Sequence, residues 1–338
     1  MNTASAFIIA EAGVNHNGDL SMALELVDAA KDSGADAVKF QSFKADRLVT
    51  RQASKAAYQK QSVPGDDSQY SMLKSLEMSE EDLRRLQAHC RKRHIEFLAS
   101  PFDEDSAILL DDMAMRLFKI PSGEITNRPL LQCIGSFGKP VILSTGMCHL
   151  AEVESALSIL EGAGAGEITI LHCVTEYPAP LDQINLSAMV TLARAFGKEI
   201  GYSDHTVGIE IPVAAVAMGA KVIEKHFTLD TRLPGPDHSA SLAPADFRRM
   251  VQAIRNVELA IGDGIKKPVP CEIANIGSVR KSIVAASMIP EGEVITARHI
   301  ILKRPGSGIP PMFLEAIIGR RASRDIETDQ LIEWCDLS

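Results

Sequence analysis

Gly201-Tyr202-Ser203-Asp204-His205-Thr206, followed after a helix-length interval by Glu224-Lys225-His226-Phe227, decides how this chain is read. The stretch runs strand, loop, helix, strand. Side chains alternate along an extended backbone, so Ser203 and His205 share one side of their strand. Glu224 and His226 likewise share a side with Val222, while Lys225 faces the other way. If the two strands are neighbours, two histidines and a carboxylate converge at their C-terminal ends. That donor set suits a divalent ion such as Mn²⁺, Zn²⁺ or Co²⁺, with positions left open for a substrate. The plainer alternative makes them hydrogen-bonded core or loop residues. Two histidines at equivalent strand ends, one with a carboxylate beside it, favour the ligand set.

The same rhythm extends outward in both directions. Short apolar runs fall at 7–10, 37–40, 96–99, 117–120, 141–143, 168–171, 199–202 and 221–224. Between most of them lie amphipathic stretches with helical spacing, such as 20–33 and 151–160. Eight apolar strands, each followed by a helix-length segment, predict the α/β class and a (β/α)₈ TIM barrel. The rival, an open doubly wound sheet, would want Gly-x-Gly-x-x-Gly after its first strand, and residues 12–18 do not supply it.

The segment 43–79 is longer than an ordinary strand-to-helix loop and polar, with Lys55, Lys60, Asp66 and Asp67. It reads either as a lid or substrate clamp, or as solvated surface. A helix over 244–261 should close the barrel, stopped by Gly262-Asp263-Gly264. Lys266-Lys267-Pro268-Val269-Pro270 reads as a semi-rigid linker. Residues 277–338, with apolar runs at 282–285 and 300–302, read as a small β-rich module whose own core is marginal at about 60 residues. The expected division is a barrel at 1–264, a linker at 265–276 and the module at 277–338.

Composition narrows the function classes. The 338 residues exceed the usual domain of roughly 100 to 200, but a barrel of about 250 plus a small module accounts for them. Nothing approaches the roughly 20 apolar residues of a membrane helix. Met1-Asn2-Thr3-Ala4-Ser5-Ala6 lacks the basic region and apolar core of a signal peptide. None of the six cysteines forms a Cys-x-x-Cys pair, which argues for a reducing cytoplasm and against a zinc or disulfide framework. Cys173, beside His172, reads better as a small buried residue than as a catalytic thiol. A formal charge of -9 disfavours nucleic acid and anionic membranes as partners. An anionic small substrate then needs local lysines, and a metal, to overcome the global field.

Polar residues at C-terminal strand ends are where a barrel does chemistry. Strand one ends at Glu11. Strand two gives Lys39 and Gln41 on one side, strand three Ser100, and strand four Lys119 and then Ser122. Strand five gives Ser144 and Thr145, and strand six His172, Thr175 and Tyr177. A lysine inside an apolar strand needs a partner. Either Lys39 pairs internally with Glu11 or Glu224, or Lys39 and Lys119 face an anionic ligand with Ser100, Ser122 and Ser203 as phosphate or carboxylate donors. A Schiff-base lysine, as in aldolases, is a third route. The two histidines and Glu224 favour the metal route.

These segments carry a resemblance: Ile8-Ile9-Ala10-Glu11-Ala12-Gly13-Val14-Asn15-His16, Val38-Lys39-Phe40-Gln41, Phe118-Lys119-Ile120-Pro121-Ser122-Gly123-Glu124, the opening stretch, and Gly235-Pro236-Asp237-His238. In combination they resemble the N-acetylneuraminate (sialic acid) synthase family over essentially the whole chain. Lys303-Arg304-Pro305-Gly306-Ser307-Gly308 resembles the arginine motif of the antifreeze-like (SAF) domain those synthases carry. The resemblance implies condensation of phosphoenolpyruvate with an open-chain N-acylated mannosamine-type sugar. The products are a nine-carbon 2-keto acid and phosphate, released by C–O cleavage. It implies His205 and His226 as ligands of a divalent metal, usually Mn²⁺, with Mg²⁺ or Co²⁺ as substitutes. Glu11 and Glu224 become the acid/base pair, with Glu11 handling the new hydroxyl or the water. Lys39, Ser100, Lys119, Ser122 and Ser203 hold phosphoenolpyruvate, while Gln41, Tyr177 and Asp237 hold the sugar. Arg304 reaches the N-acyl group from the neighbouring subunit of a domain-swapped homodimer. Thr175 stands where some members have Asn among the phosphate contacts. N-acetylneuraminate is the first expectation for the product, and legionaminate, from 2,4-diacetamido-2,4,6-trideoxymannose, the second. A reading from another class is a non-catalytic carbohydrate-binding protein built around the C-terminal module, against which the intact strand-end set stands.

Overall fold

Strands that are apolar on both faces must be covered on both, and a ring of parallel strands inside a ring of helices does this. The computed structural model describes residues 5–63 and 65–338, so most of the stretch tested for a signal peptide lies outside the described residues. Its eight parallel strands are β1 (Phe7–Gly13), β2 (Ala37–Ser42), β3 (Glu96–Pro101), β4 (Phe118–Ile120), β5 (Val141–Ser144), β6 (Ile168–Cys173), β7 (Glu199–Asp204) and β8 (Val222–His226). They pair in the order β3-β2-β1-β8-β7-β6-β5-β4. Because β1 pairs with β8, the sheet curls into a barrel, and β3 and β4 lie side by side where the ladder ends.

Period two sorts each strand. Outward residues such as Ile8, Val38, Phe97, Phe118, Leu143 and Ile170 join the main core under the helices. Inward, Ile9, Ala37, Leu98, Ile142, Leu171 and Val222 form an apolar plug. Two residues further along, the same inward row reads Glu11, Lys39, Ser100, Ser144, Cys173 and Glu224, all buried. The plug is therefore the base beneath a polar layer that forms the floor of the space above.

The helix Pro244–Ile261 buries Phe247, Met250, Val251 and Ile254 at helical spacing. Arg255 ties it to the barrel through the Ala6 carbonyl (2.9 Å) and Asp36 (3.0 Å). The segment after β2 holds the short helices Ala45–Leu48, Ala57–Ser62 and Gln69–Leu76. Phe43, Ala45, Met72, Leu73 and Leu76 pack with Val14 into a small core of their own. It is thus not merely solvated chain.

The chain divides between Asp263 and Gly264. In the second unit a helix, Pro270–Val279, occupies ground the sequence reading gave to a linker over 265–276. The reason is local: Pro270 takes the first helical position, where its missing N–H costs nothing. Then β9 (Ser282–Ala285) and β10 (Ile300–Lys303) pair antiparallel over a core built largely of isoleucines, including Ile283, Ile295, Ile317 and Ile326. No described helix is long and apolar enough to cross a membrane.

Candidate active site

Parallel register brings the inward polar residues together. Glu11 lies opposite both Lys39 and His226, and Ser203 opposite Glu224. At the centre of the floor Lys39 Nζ sits 2.6 Å from Glu11 Oε2, 3.8 Å from Glu224 Oε2 and 3.2 Å from Ser100 Oγ. Lys119 Nζ approaches Glu224 Oε1 at 3.4 Å, and Ser203 Oγ donates to that same oxygen at 2.9 Å. Both sequence alternatives for Lys39 are therefore partly met: it is internally paired, and it faces a cavity.

The charges on this floor are unequal. Burial pushes Glu11 up to about 7, and Glu224 adds to the push against the pull of Lys39. Burial acts on Glu224 too, but Lys119, Lys39 and the Ser203 hydroxyl together hold it down to about 2. The two carboxyls are thus pushed in opposite directions, as in carboxylate pairs that divide acid and base roles. Burial lowers Lys119, whereas Lys39 is held up, against its burial, by Glu11 and Glu224.

Above the floor the rings of His205 and His226 stand 5.4 Å apart, with Tyr177 against both at 4.2 and 5.4 Å. His205 donates from Nδ1 to the Val174 carbonyl (2.6 Å), which leaves Nε2 as the ring's basic nitrogen, the tautomer a metal-binding imidazole uses. Nδ1 of His226 is buried without a hydrogen-bond partner and lies 4.0 Å from Asp237 Oδ2. Burial lowers both imidazoles, keeping them in the neutral form that binds metal. Among the described residues no group of three His, Cys, Asp or Glu is placed as a ligand cluster. His205 and His226 are the two imidazoles of the cavity, so a cation held by them would need further ligands from outside the protein.

Every proposed site residue except Arg304 lines one cavity of ≈ 320 Å³: Glu11, Lys39, Gln41, Ser100, Lys119, Ser122, Thr175, Tyr177, Ser203, His205, Glu224, His226 and Asp237. Glu11, Gln41 and Asp237 draw together over Gly13, whose φ of +52° and missing side chain leave room there; a Cβ would meet all three within 3.7 Å. Asp237, raised by burial to about 6, is the second carboxyl near neutrality. Arg304 belongs to the second unit, exposed, with Nε donating to the Val279 carbonyl at 2.9 Å. Cys173 faces the cavity beside Ser122 (3.1 Å), while His172 turns to the Ile184 carbonyl. Burial raises the Cys173 thiol, so it lacks thiolate character.

Sequence reading missed Gly146. Its N–H donates to Ser122 Oγ at 2.8 Å, and a Cβ there would stand 2.2 Å from Thr175 Oγ1, 2.9 Å from Ser122 Oγ and 3.0 Å from Cys173 Sγ. The bare backbone lets Ser122 and Thr175 close into a small hydroxyl cradle at the ends of β4 to β6. Ser144, named in the sequence reading only as a strand-end residue, also lines the cavity; missed were Glu124 and two glutamines of the 43–79 segment, Gln59 and Gln69, all on the cavity wall.

An α/β barrel whose strand ends hold two lysines, two carboxyls and two neutral imidazoles over an apolar plug has the architecture of an enzyme. The chain belongs to the NeuB family, whose model matches residues 26–266, and a SAF domain follows at 280–338. It is accordingly an enzyme of the transferase class. The N,N'-diacetyllegionaminic acid synthase of Campylobacter jejuni is 50% identical to it, covering 96% of this chain and 98% of the relative. That of Legionella pneumophila is 48% identical, covering 98% and 95%. The crystal structure of an N-acetylneuraminic acid (sialic acid) synthetase from Leptospira borgpetersenii, in complex with citrate, is 35% identical with a TM-score of 0.71, covering 81% of this chain and 90% of that one.

Proposed function

We propose that this chain condenses phosphoenolpyruvate with 2,4-diacetamido-2,4,6-trideoxymannose, giving N,N'-diacetyllegionaminate and phosphate. Near-complete coverage at 50% and 48% identity to two legionaminic acid synthases, against 35% to the sialic acid synthetase structure, supports this sugar over N-acetylmannosamine. The order given to the two products by sequence alone is thereby reversed. The observation that carries the chemistry is the floor, where Lys39 and Lys119 bracket Glu224 beneath His205 and His226.

In this reading Lys39, Lys119, Ser100 and Ser203 receive the carboxylate and phosphate of phosphoenolpyruvate. The Gly146–Ser122–Thr175 cradle adds donors of the kind phosphate oxygens accept. Burial pushes Glu11 towards its neutral form, so Lys39 and Lys119 face chiefly Glu224, which lets them offset locally the chain's net charge of -9. His205 and His226 would hold a divalent cation, Mn²⁺ in our proposal, which when bound polarises the sugar aldehyde. The bond from carbon 3 of phosphoenolpyruvate to the aldehyde carbon forms, and the aldehyde oxygen takes a proton. Water then bonds to carbon 2, and the carbon 2–oxygen bond to phosphate breaks. Glu11, poised near neutrality, supplies the proton to the new hydroxyl or takes one from the water. Glu224, held ionised, faces the positive charge developing at carbon 2. Gln41, Tyr177 and Asp237 bind the sugar. We further propose a cytoplasmic homodimer exchanging SAF domains, which would bring Arg304 of one subunit to the N-acyl group in the other.

Phosphate release tests this directly. Purified protein with phosphoenolpyruvate and Mn²⁺ is given the diacetamido sugar or N-acetylmannosamine, with and without EDTA. We expect EDTA-sensitive release, several-fold faster with the diacetamido sugar. A preference for N-acetylmannosamine would return the sialic acid reading. No release with either would sink both.

A further inference from the structure

The floor accounts for phosphoenolpyruvate and the reacting aldehyde, yet the cavity has another wall with a different chemistry. It rises from the 43–79 segment, after β2 and β3. Leu48, Val49, Leu73 and Phe102 give it an apolar surface, and Gln59 and Gln69 set two side-chain amides into it. Neither amide hangs loose. Gln59 is buried, and its Oε1 accepts from the Ala56 N–H (3.0 Å) and from Gln69 Nε2 (3.4 Å). The backbone behind them is pinned, with Gln69 N donating to the Ala53 carbonyl and Lys55 N to the Asp67 carbonyl. The buried Lys55 caps the Val63 carbonyl at 3.0 Å. An otherwise polar surface segment has thus ordered an amide pair, backed by aliphatic and aromatic side chains, on the inner face of a cavity.

An acetamido group matches such a wall. It carries one N–H donor, one carbonyl acceptor and a methyl, so it can pair with a primary amide while its methyl lies on Leu or Val. A hydroxyl offers no methyl and shorter reach. We propose that Gln69, held in place by Gln59 and backed by Leu48, Val49, Leu73 and Phe102, forms a second acyl-amino pocket that selects a sugar carrying an N-acyl group on its distal half. This rests on the reading above and deepens it by assigning the discrimination to named residues. Gln69 is a specificity element that touches the substrate's far end and no reacting atom, and Gln59 is the residue that positions it.

Gln69→Ala and Gln59→Glu test it, each assayed with the diacetamido sugar and with N-acetylmannosamine at saturating phosphoenolpyruvate. Gln69 begins the helix Gln69–Leu76, where alanine is well tolerated. We expect the KM for the diacetamido sugar to rise roughly three- to tenfold per lost amide contact. The kcat and the KM for phosphoenolpyruvate should stay within about twofold, and the preference between the two sugars should shrink by the same factor. Thermal melting at an unchanged temperature confirms that the segment is intact. Equal effects on both sugars, or an unchanged preference in a wild type that favours the diacetamido sugar, would overturn the pocket and leave the legionaminate reading standing. A wild type that favours N-acetylmannosamine, or is indifferent, would remove both, and the wild-type assay alone reveals it.

Discussion

Lys225 and Lys39 are both buried in the barrel wall, one on each side, and they behave differently. Lys225 points outward from β8, fully enclosed, with Nζ 2.5 Å from Asp204 Oδ2 and 2.5 Å from the Thr206 carbonyl. Thr206 also donates to Asp204, by its backbone N–H at 3.1 Å and its hydroxyl at 2.9 Å. That ion pair is closed on itself. Lys39, on the inward side, shares two carboxylates unequally, in a layer where His226 Nδ1 and Ser144 Oγ are buried without hydrogen-bond partners. Buried polar groups are normally satisfied within the protein, so a layer with several that are not keeps hydrogen-bonding capacity it can offer to a ligand. Sequence shows the same residue types at both places. Which side of the pleat they occupy makes one set structural and the other a site.

The largest effect should come from the open layer. His226→Ala removes an imidazole whose Nδ1 has no internal partner. Metal-dependent turnover should fall by about 10³-fold or more, about 4 kcal/mol at the transition state, with little change in melting temperature. Steady-state phosphate release and far-UV dichroism check both halves. Turnover within tenfold of wild type would remove the histidine pair from the chemistry.

The closed pair should fail in the opposite way. Lys225→Met leaves Asp204 as an uncompensated buried carboxylate and should destabilise the barrel by about 3–5 kcal/mol. Urea unfolding of the purified variant measures it. Protein that does fold should keep its KM for phosphoenolpyruvate, because Lys225 faces away from the cavity. A loss below about 1 kcal/mol would show that the pair is not the closed unit described.

His16 stands between these extremes. Its Nδ1 accepts the Gly18 N–H (3.0 Å), while Nε2 is buried without a partner. Burial pushes it down to about 4. The unfolded chain, with an ordinary imidazole near 6.5, therefore binds the extra proton first as pH falls. This contribution is fully present above about pH 6.5 and lost progressively towards pH 4, up to about 3 kcal/mol. Glu11 and Asp237, raised in the folded state, act with the opposite sign, so the informative quantity is the difference from His16→Asn. The stability gap between wild type and variant should narrow as pH is lowered from 7.5 to 4.5 in urea titrations. A gap independent of pH would contradict the burial of a neutral imidazole.

How much of this was legible in the sequence follows from the same pleat. The barrel was, because apolar runs separated by helical spacing have few other ways to bury two faces. The floor was, because Lys39, Lys119 and Glu224 interrupt strands that are otherwise apolar. Gly146 was not, because it contributes an absence, and only coordinates show Thr175 and Ser122 filling the space a Cβ would take. The Gln59–Gln69 wall was hidden for another reason. Its short helices carry too few apolar residues for a periodic signal, and their small core borrows Val14 from the loop after β1. The helix Pro270–Val279 was missed because a proline that starts a helix looks, in sequence, like one that prevents it.

The smallest expected effect sharpens the comparison most. Lys119→Met takes a cation from the open layer, and a simple count of ion pairs would expect the same loss as at Lys225. The geometry argues otherwise. Burial already disfavours the Lys119 ammonium, and the like charge of Lys39 adds to the cost. Glu224 would keep the Ser203 hydroxyl at 2.9 Å and Lys39 at 3.8 Å, and methionine fills the same inward space without a charge to desolvate. Replacing an imperfectly solvated ion by an apolar side chain of similar volume is often neutral. We expect folding stability within about 1 kcal/mol of wild type, while the KM for phosphoenolpyruvate rises by at least about tenfold through loss of a charge-assisted contact to the substrate. Denaturant titration and initial rates on one preparation give both numbers. A destabilisation as large as that of Lys225→Met would mean that the inner lysines are also structural, and the contrast between the two sides of the barrel wall would lose its basis.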